Sequence, residues 1–124
     1  MELEDLEIYR LAREIGRDVW KVYNRLNWQD KKIMGDQCIA STDSMGANIA
    51  EGFGRYHYLD KNRFNYNARG SLLETVHWLE VLYERNKVTE AELTNIKSKL
   101  QKLHVKTNNY IASTKKQKSG NQLL

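Results

Sequence analysis

The chain has 124 residues, a single cysteine, no proline, and 20 Lys/Arg against 16 Asp/Glu. That length fits one domain able to bury a moderate core without disulfides or metals, and no apolar run approaches the roughly 20 residues of a membrane span. A lone cysteine, Cys38, excludes an internal disulfide and predicts a cytoplasmic protein, and the acidic start Met1-Glu2-Leu3-Glu4-Asp5 offers no apolar signal core.

The richness in Leu, Lys, Glu, Asn and Ala, with few β-branched runs and no proline, predicts an all-α fold. A first helix spans about Leu3 to Leu26, with Leu6, Tyr9, Ala12 or Arg13, Gly16 or Ile15, Val19, Val22 or Tyr23, and Leu26 recurring by three or four. Glu4, Asp5 and Glu7 suit its positive end, Lys21 and Arg25 its negative end. Asn27 to Asp30 reads as a short connection, with Trp28 folded back as a hydrophobic plug.

A second helix spans about Asp30 to Phe53, with Ile33, Met34, Ile39, Ala40 and Ala47 as apolar contacts and Gly52 and Gly54 closing it through a positive-φ cap. Arg55, Tyr56, His57 and Tyr58 make the next connection basic and aromatic, a mix that suits stacking and phosphate contact, although a plain inter-helix lid is the preferred reading. A third helix starts near Asp60, its N-cap, and ends near Arg85, with Phe64, Ala68, Leu72, Thr75 or Val76, Leu79, and Leu82 or Tyr83 on its core face. Its Gly70 predicts a close approach by another backbone. The last helix opens on the capping box Thr89-Glu90-Ala91-Glu92 and carries Leu93, Ile96, Leu100, Leu103, Thr107 and Tyr110 or Ile111. From Ser113 the composition turns to Lys, Gln, Ser, Gly and Asn. The expected organisation is a four-helix bundle over residues 1–112 and a basic, disordered tail over 113–124.

Four amphipathic helices with short links imply an antiparallel up-down-up-down bundle. In it the second helix presents a polar stripe, Gln37, Ser41, Ser44, Asn48, Glu51 and Arg55, spaced by four, three, four, three and four. The third helix presents a matching line, Asn67, Ser71, Glu74 and Trp78. The expectation is a buried network in which Ser44, Asn48 and Glu51 face Asn67, Ser71 and Glu74, with Ser44 level with Glu74. Arg55 or Arg69 would neutralise the carboxylates, because an unpaired buried charge is too costly.

Ser44-x-x-Ala47-Asn48-Ile49-Ala50-Glu51-Gly52-x-Gly54-Arg55, followed by Ala68-x-Gly70-Ser71-Leu72-x-Glu74, resembles the four-helix-bundle proteins encoded in 23S rRNA intervening sequences, also called S23. The resemblance spans about residues 4–112. It implies a four-helix bundle that assembles as a homo-oligomeric ring, typically a pentamer. It also implies a relation in fold to the accessory variability proteins of diversity-generating retroelements, which bind nucleic acid. It implies no enzymatic reaction.

Charge is distributed unevenly. Residues 1–96 hold 13 Lys/Arg and all 16 Asp/Glu, whereas residues 97–124 hold seven Lys and no acid. This basic quarter either attracts RNA or DNA or serves as a solubilising tail. The nucleic-acid reading assigns contact to Arg55, Tyr56, Lys97, Lys99, Lys102 and Lys106. The competing reading is a protein-interaction scaffold. A catalytic reading finds little: Glu74-x-x-His77 is half of a di-iron pattern, but neither His57 nor His104 has a Glu three residues before it. No catalytic residue, metal site or cofactor is therefore assigned.

Overall fold

The computed structural model describes residues 1–123, with side chains through residue 116. A 3-10 turn, Leu3–Asp5, leads into α1, Glu7–Arg25. The second helix, α2, is continuous in three pieces: an α turn Trp28–Asp30, a π-helical turn Lys31–Gly35 and the body Asp36–Phe53. Next come α3, Tyr58–Glu84, and α4, Glu90–Leu123. There is no strand among the described residues.

The helices pack in a closed cycle, α1 on α2, α2 on α3, α3 on α4 and α4 on α1. Side-chain pairs fix their directions. Tyr23 meets Asp36 while Gly16 lies beside Asp43, Ser41 meets Thr75 while Ser44 meets Ser71, and Glu80 meets Lys97 while Arg69 meets Asn108. In each pair one number rises as the other falls, so neighbours are antiparallel and the bundle is up-down-up-down.

The core follows the helical period. Ile8, Leu11, Ala12, Ile15, Val19 and Val22 are buried on α1, and Ala68, Leu72, Thr75, Leu79 and Leu82 on α3. Leu93, Ile96, Leu100, Leu103, Thr107 and Ile111 are buried on α4. Each fully buried Leu or Ile contributes about 1.5–3 kcal/mol over its exposed state. On α1 the core takes Ile15, and Gly16 lies toward α2.

Several local expectations are corrected. The helix starts earlier than Asp30, because the Asn27 side chain accepts the Asp30 amide at 2.8 Å and caps it. Trp28 thereby sits in the first turn, 74% exposed, and is no plug. The π turn adds a residue to the helical count and shifts the phase of every later position on α2. Ile33, Ala40 and Ala47 are exposed, while Met34, Cys38, Thr42, Met45 and Ile49 form the buried face. Gly54 has φ −76°, so no left-handed glycine closes α2. The left-handed residue is Asn86, φ 62°, just after α3, a conformation Asn tolerates better than most residues. The N-cap of α3 is His57, with Asp60 inside the first turn.

The close approach expected at Gly70 is found instead at Gly52. Nothing lies within 4 Å of a Cβ placed on Gly70, which is exposed. A Cβ on buried Gly52 would stand 3.0 Å from the Lys61 carbonyl oxygen and 3.1 Å from Phe64 Cβ. It is at Gly52 that the backbones of α2 and α3 approach.

The capping box of α4 forms as read: the Glu92 amide donates to Thr89 Oγ1 at 3.1 Å, and the Thr89 amide donates to Glu92 Oε1 at 2.9 Å. The expected tail begins inside this helix. Residues 113–116 are helical, and Thr114 extends the buried stripe three residues past Ile111. The rest of that tail, in its side chains and in Leu124, lies outside the described residues.

Candidate nucleic-acid interface

The α2–α3 seam is built from small hydroxyls. Asn48 Nδ2 donates to Ser44 Oγ at 3.0 Å and to the Ser44 carbonyl at 2.9 Å. Ser44 Oγ lies 2.9 Å from Ser71 Oγ. Ser44 Oγ accepts from Asn48 and shares a hydrogen bond with Ser71, in which either hydroxyl can donate, so the three side chains are linked across the two helices. One turn on, Ser41 Oγ and Thr75 Oγ1 are 2.8 Å apart and buried. Small hydroxyls permit this spacing and satisfy one another, which a buried polar group requires.

The acidic members of the expected network are elsewhere. Glu51 is exposed and pairs with Arg55 at 2.6 Å on the surface. Glu74 and Asn67 are exposed, and Glu74 accepts only a 3.4 Å contact from Trp78 Nε1. Arg69 donates to Asn108 at 2.8 Å. The helices meet one turn away from the expected register, with Ser44 against Ser71 and Ser41 against Thr75, and both carboxylates point away from this seam into water, where they cost least.

Two buried asparagines escaped the sequence reading. Asn62 and Asn65 lie on the core stripe of α3 below Ala68, and Asn65 Nδ2 donates to Asn62 Oδ1 at 3.1 Å. Asn62 Nδ2, Asn65 Oδ1 and Thr107 Oγ1 have no protein partner among the described residues. The signal was their three-residue spacing from Ala68. Polarity concealed it.

Three of the four α4 lysines assigned to nucleic acid are internal struts. Lys97 pairs with Glu80 of α3, Lys99 with Asp18 at 2.6 Å and Glu14 at 3.2 Å, and Lys106 with Glu7 at 3.0 Å. The Asp18 hydrogen bond raises the Lys99 pKa, and the Lys106 hydrogen bond lowers that of Glu7. Lys102 is exposed and makes no ion pair among the described residues. At the opposite end of the bundle, Arg25 of α1 forks onto Glu92, and Lys87 reaches Asp30 at 2.9 Å. The positive charge of this part of α4 is thus matched mostly by α1 and α3.

The α2–α3 connection differs. Residues 55–69 hold four Lys/Arg, three Tyr, one Phe and one His against the single acid Asp60. Lys61 is used structurally: its Nζ donates to the Phe53 carbonyl at 3.1 Å, capping the end of α2, and burial lowers its pKa. The others face outward. Phe64 holds the guanidinium carbons of Arg55 and Arg63 at 5.0 and 4.8 Å from its centroid, and Tyr66 holds Arg69 at 4.9 Å and Lys115 Nζ at 5.7 Å. Tyr56 is 91% exposed and touches His57 edge-on at 5.2 Å.

A groove of about 640 Å³ lies between α1 and α2, floored by Gly16, Gly46, Ala47 and Ala50 and walled by Tyr9 and Trp20. Arg13, Arg17 and Asp43 also line it. Cys38 is buried, and desolvation pushes its thiol up to about 12, so it is held as an inert thiol. His77 packs edge-on against Trp78 at 4.9 Å. Among the described residues no group of three His, Cys, Asp or Glu could hold a metal ion, and no helix is long and apolar enough to cross a membrane.

The sequence profile of the 23S rRNA-intervening sequence protein family matches residues 4–109. The fold is similar to the crystal structure of a protein with unknown function from the S23 ribosomal protein family of Bacteroides thetaiotaomicron VPI-5482, with TM-score 0.78 and 23% identity. The match covers 84% of this chain and 97% of that one. A comparison with curated proteins gave no match.

Proposed function

We propose that this chain, which belongs to the 23S rRNA-intervening sequence protein family, is a non-enzymatic, homo-oligomeric RNA-binding or ribonucleoprotein accessory module acting in the cytoplasm. The observation that carries the reading is the basic-aromatic end of the bundle. With Lys97, Lys99 and Lys106 paired internally, the cations of residues 55–69 stand beside exposed rings with one acid among them. Cations neutralise phosphates in a salt-dependent way, and rings stack on bases.

Oligomerisation is part of the proposal. The small-residue groove between α1 and α2, with half-exposed Trp20 and with Arg13 and Arg17, is complementary to the face of α3 that exposes Leu73, Glu74 and Glu84. Two different surfaces meeting head to tail close into a ring when the rotation between copies divides the circle, five-membered in the family resemblance, and a ring multiplies each weak contact. Light scattering reads the assembly directly.

The test of function is binding to a structured RNA at low and moderate salt. Binding that weakens steeply with salt supports the reading, and no binding at low salt removes it. The second reading, a protein scaffold, is favoured by the internal pairing of the α4 lysines. It gains if a protein partner captured from native cells survives nuclease treatment while RNA binding is absent.

A further inference from the structure

We propose that the α2–α3 end is a platform for unpaired nucleic-acid strands, contacted by Arg55, Tyr56, Arg63, Tyr66 and Arg69. This inference rests on the nucleic-acid reading above and narrows it to a ligand class and a site. It also moves the site away from Lys97, Lys99 and Lys106.

Three observations carry it. First, the cations here are held in place by rings. Arg55 comes from the end of α2 and Arg63 from α3, and both guanidinium carbons lie within 5.0 Å of the Phe64 centroid. Arg69 is held in the same manner on Tyr66. A long side chain parked on a ring has already lost rotamer freedom and loses less on binding. Second, their charge is available. Arg63 and Arg69 make no ion pair among the described residues, and Arg55 has only a surface pair with Glu51. Surface pairs contribute little, so phosphate can compete for Arg55. Third, Tyr56 is 91% exposed, and its recorded ring contact, with His57, is edge-on at 85°.

Together these features discriminate between forms of nucleic acid. In a duplex the bases are stacked on one another and only backbone and groove edges are presented. In a loop or single strand the bases are free to stack on tyrosine rings and guanidinium planes. A duplex reader would need an uncompensated cationic track, and the α4 lysines that could provide one are tied to Glu7, Asp18 and Glu80. Lys102 alone of those four stays unpaired among the described residues, and one cation makes no track. At the α2–α3 end Arg63 and Arg69 are separated by about 9 Å of helix axis at 1.5 Å per residue. An anionic lipid surface would share the charge preference, but within residues 55–69 the large exposed aliphatic side chains come down to Leu59.

The experiment is fluorescence anisotropy on the full chain with a labelled, unstructured 20-nucleotide RNA and an RNA duplex of the same length, across a salt series. Anionic vesicles serve as a third ligand. The variants are Tyr56→Ser and Arg63→Gln, both at exposed positions, with circular dichroism to confirm folding. The expected result is tighter binding to the single strand than to the duplex and a loss of roughly tenfold in Tyr56→Ser, a typical stacking contribution. Arg63→Gln should reduce the slope of log K against log salt by about 0.7 for the single strand. Equal affinity for duplex and single strand, or unchanged single-strand binding in both variants, overturns the platform and leaves the general RNA reading standing. Vesicle binding without oligonucleotide binding, or no binding of either nucleic acid at low salt, overturns both.

Discussion

Gly52 and Gly70 are both helical glycines, and replacing each with alanine should shift stability in opposite directions. At Gly70 the added methyl meets nothing within 4 Å, so the change is a plain gain in helix propensity of about 1 kcal/mol. At Gly52 the same methyl would lie 3.0 Å from the Lys61 carbonyl oxygen and 3.1 Å from Phe64 Cβ. Both atoms belong to, or are fixed to, the backbone of α3, so α2 and α3 must separate by a few tenths of an ångström. Overpacking of this kind costs about 1–3 kcal/mol. Gly52 is one residue from the end of α2, where the propensity gain is at its smallest. The net expectation for Gly52→Ala is a loss of about 1–2 kcal/mol. For a domain of this size 1 kcal/mol moves Tm by roughly 4 °C. Thermal unfolding followed by circular dichroism should therefore place Gly70→Ala about 4 °C above the parent and Gly52→Ala about 4–8 °C below. Protein concentration must be matched, because an oligomer's Tm depends on it. If Gly52→Ala melts at or above Gly70→Ala, the close approach of α2 and α3 at Gly52 is wrong.

Two further perturbations address the seam and the capping box. Ser44→Ala or Ser71→Ala alone should cost about 1 kcal/mol in urea unfolding, by leaving a partly buried hydroxyl without its partner. The double variant should cost clearly less than the sum, and strict additivity would mean that the two hydroxyls do not interact. The Arg25 guanidinium holds the Glu92 carboxyl below its ordinary 4.5, with the Thr89 amide and hydroxyl acting in the same direction. The unfolded chain therefore takes up this proton at higher pH than the folded chain. The stabilisation is fully present above that ordinary value and is lost as pH falls through the folded one. Stability measured from pH 7 downward should show the parent and Glu92→Gln converging below about pH 4.5. A gap that stays constant across that range would show that Glu92 acts through packing or neutral hydrogen bonds.

The architecture was legible in one dimension, because helix period, chain length and short links allow few arrangements. Leu72, Leu79, Leu93, Ile96, Leu100 and Leu103 are buried where their three- and four-residue spacing places them. The Thr89–Glu92 box was equally legible, since capping is a contact within four residues. How the helices meet was not legible there, because it is settled by long-range packing. Phase along α2 depends on the π turn at Lys31–Gly35, which shifts every later face and which no local spacing announces. The meeting of Ser44 with Ser71 depends on where α2 and α3 come to rest. How each helix is turned toward the other decides whether a carboxylate is buried or in water, as at Glu51 and Glu74. The same holds for charge. Lys97, Lys99 and Lys106 read as a basic stripe along one helix, but their partners Glu80, Asp18 and Glu7 are 17, 81 and 99 residues away in the chain. Whether a cation faces a phosphate or a carboxylate is set by what the fold places opposite it, and one-dimensional spacing carries no record of that.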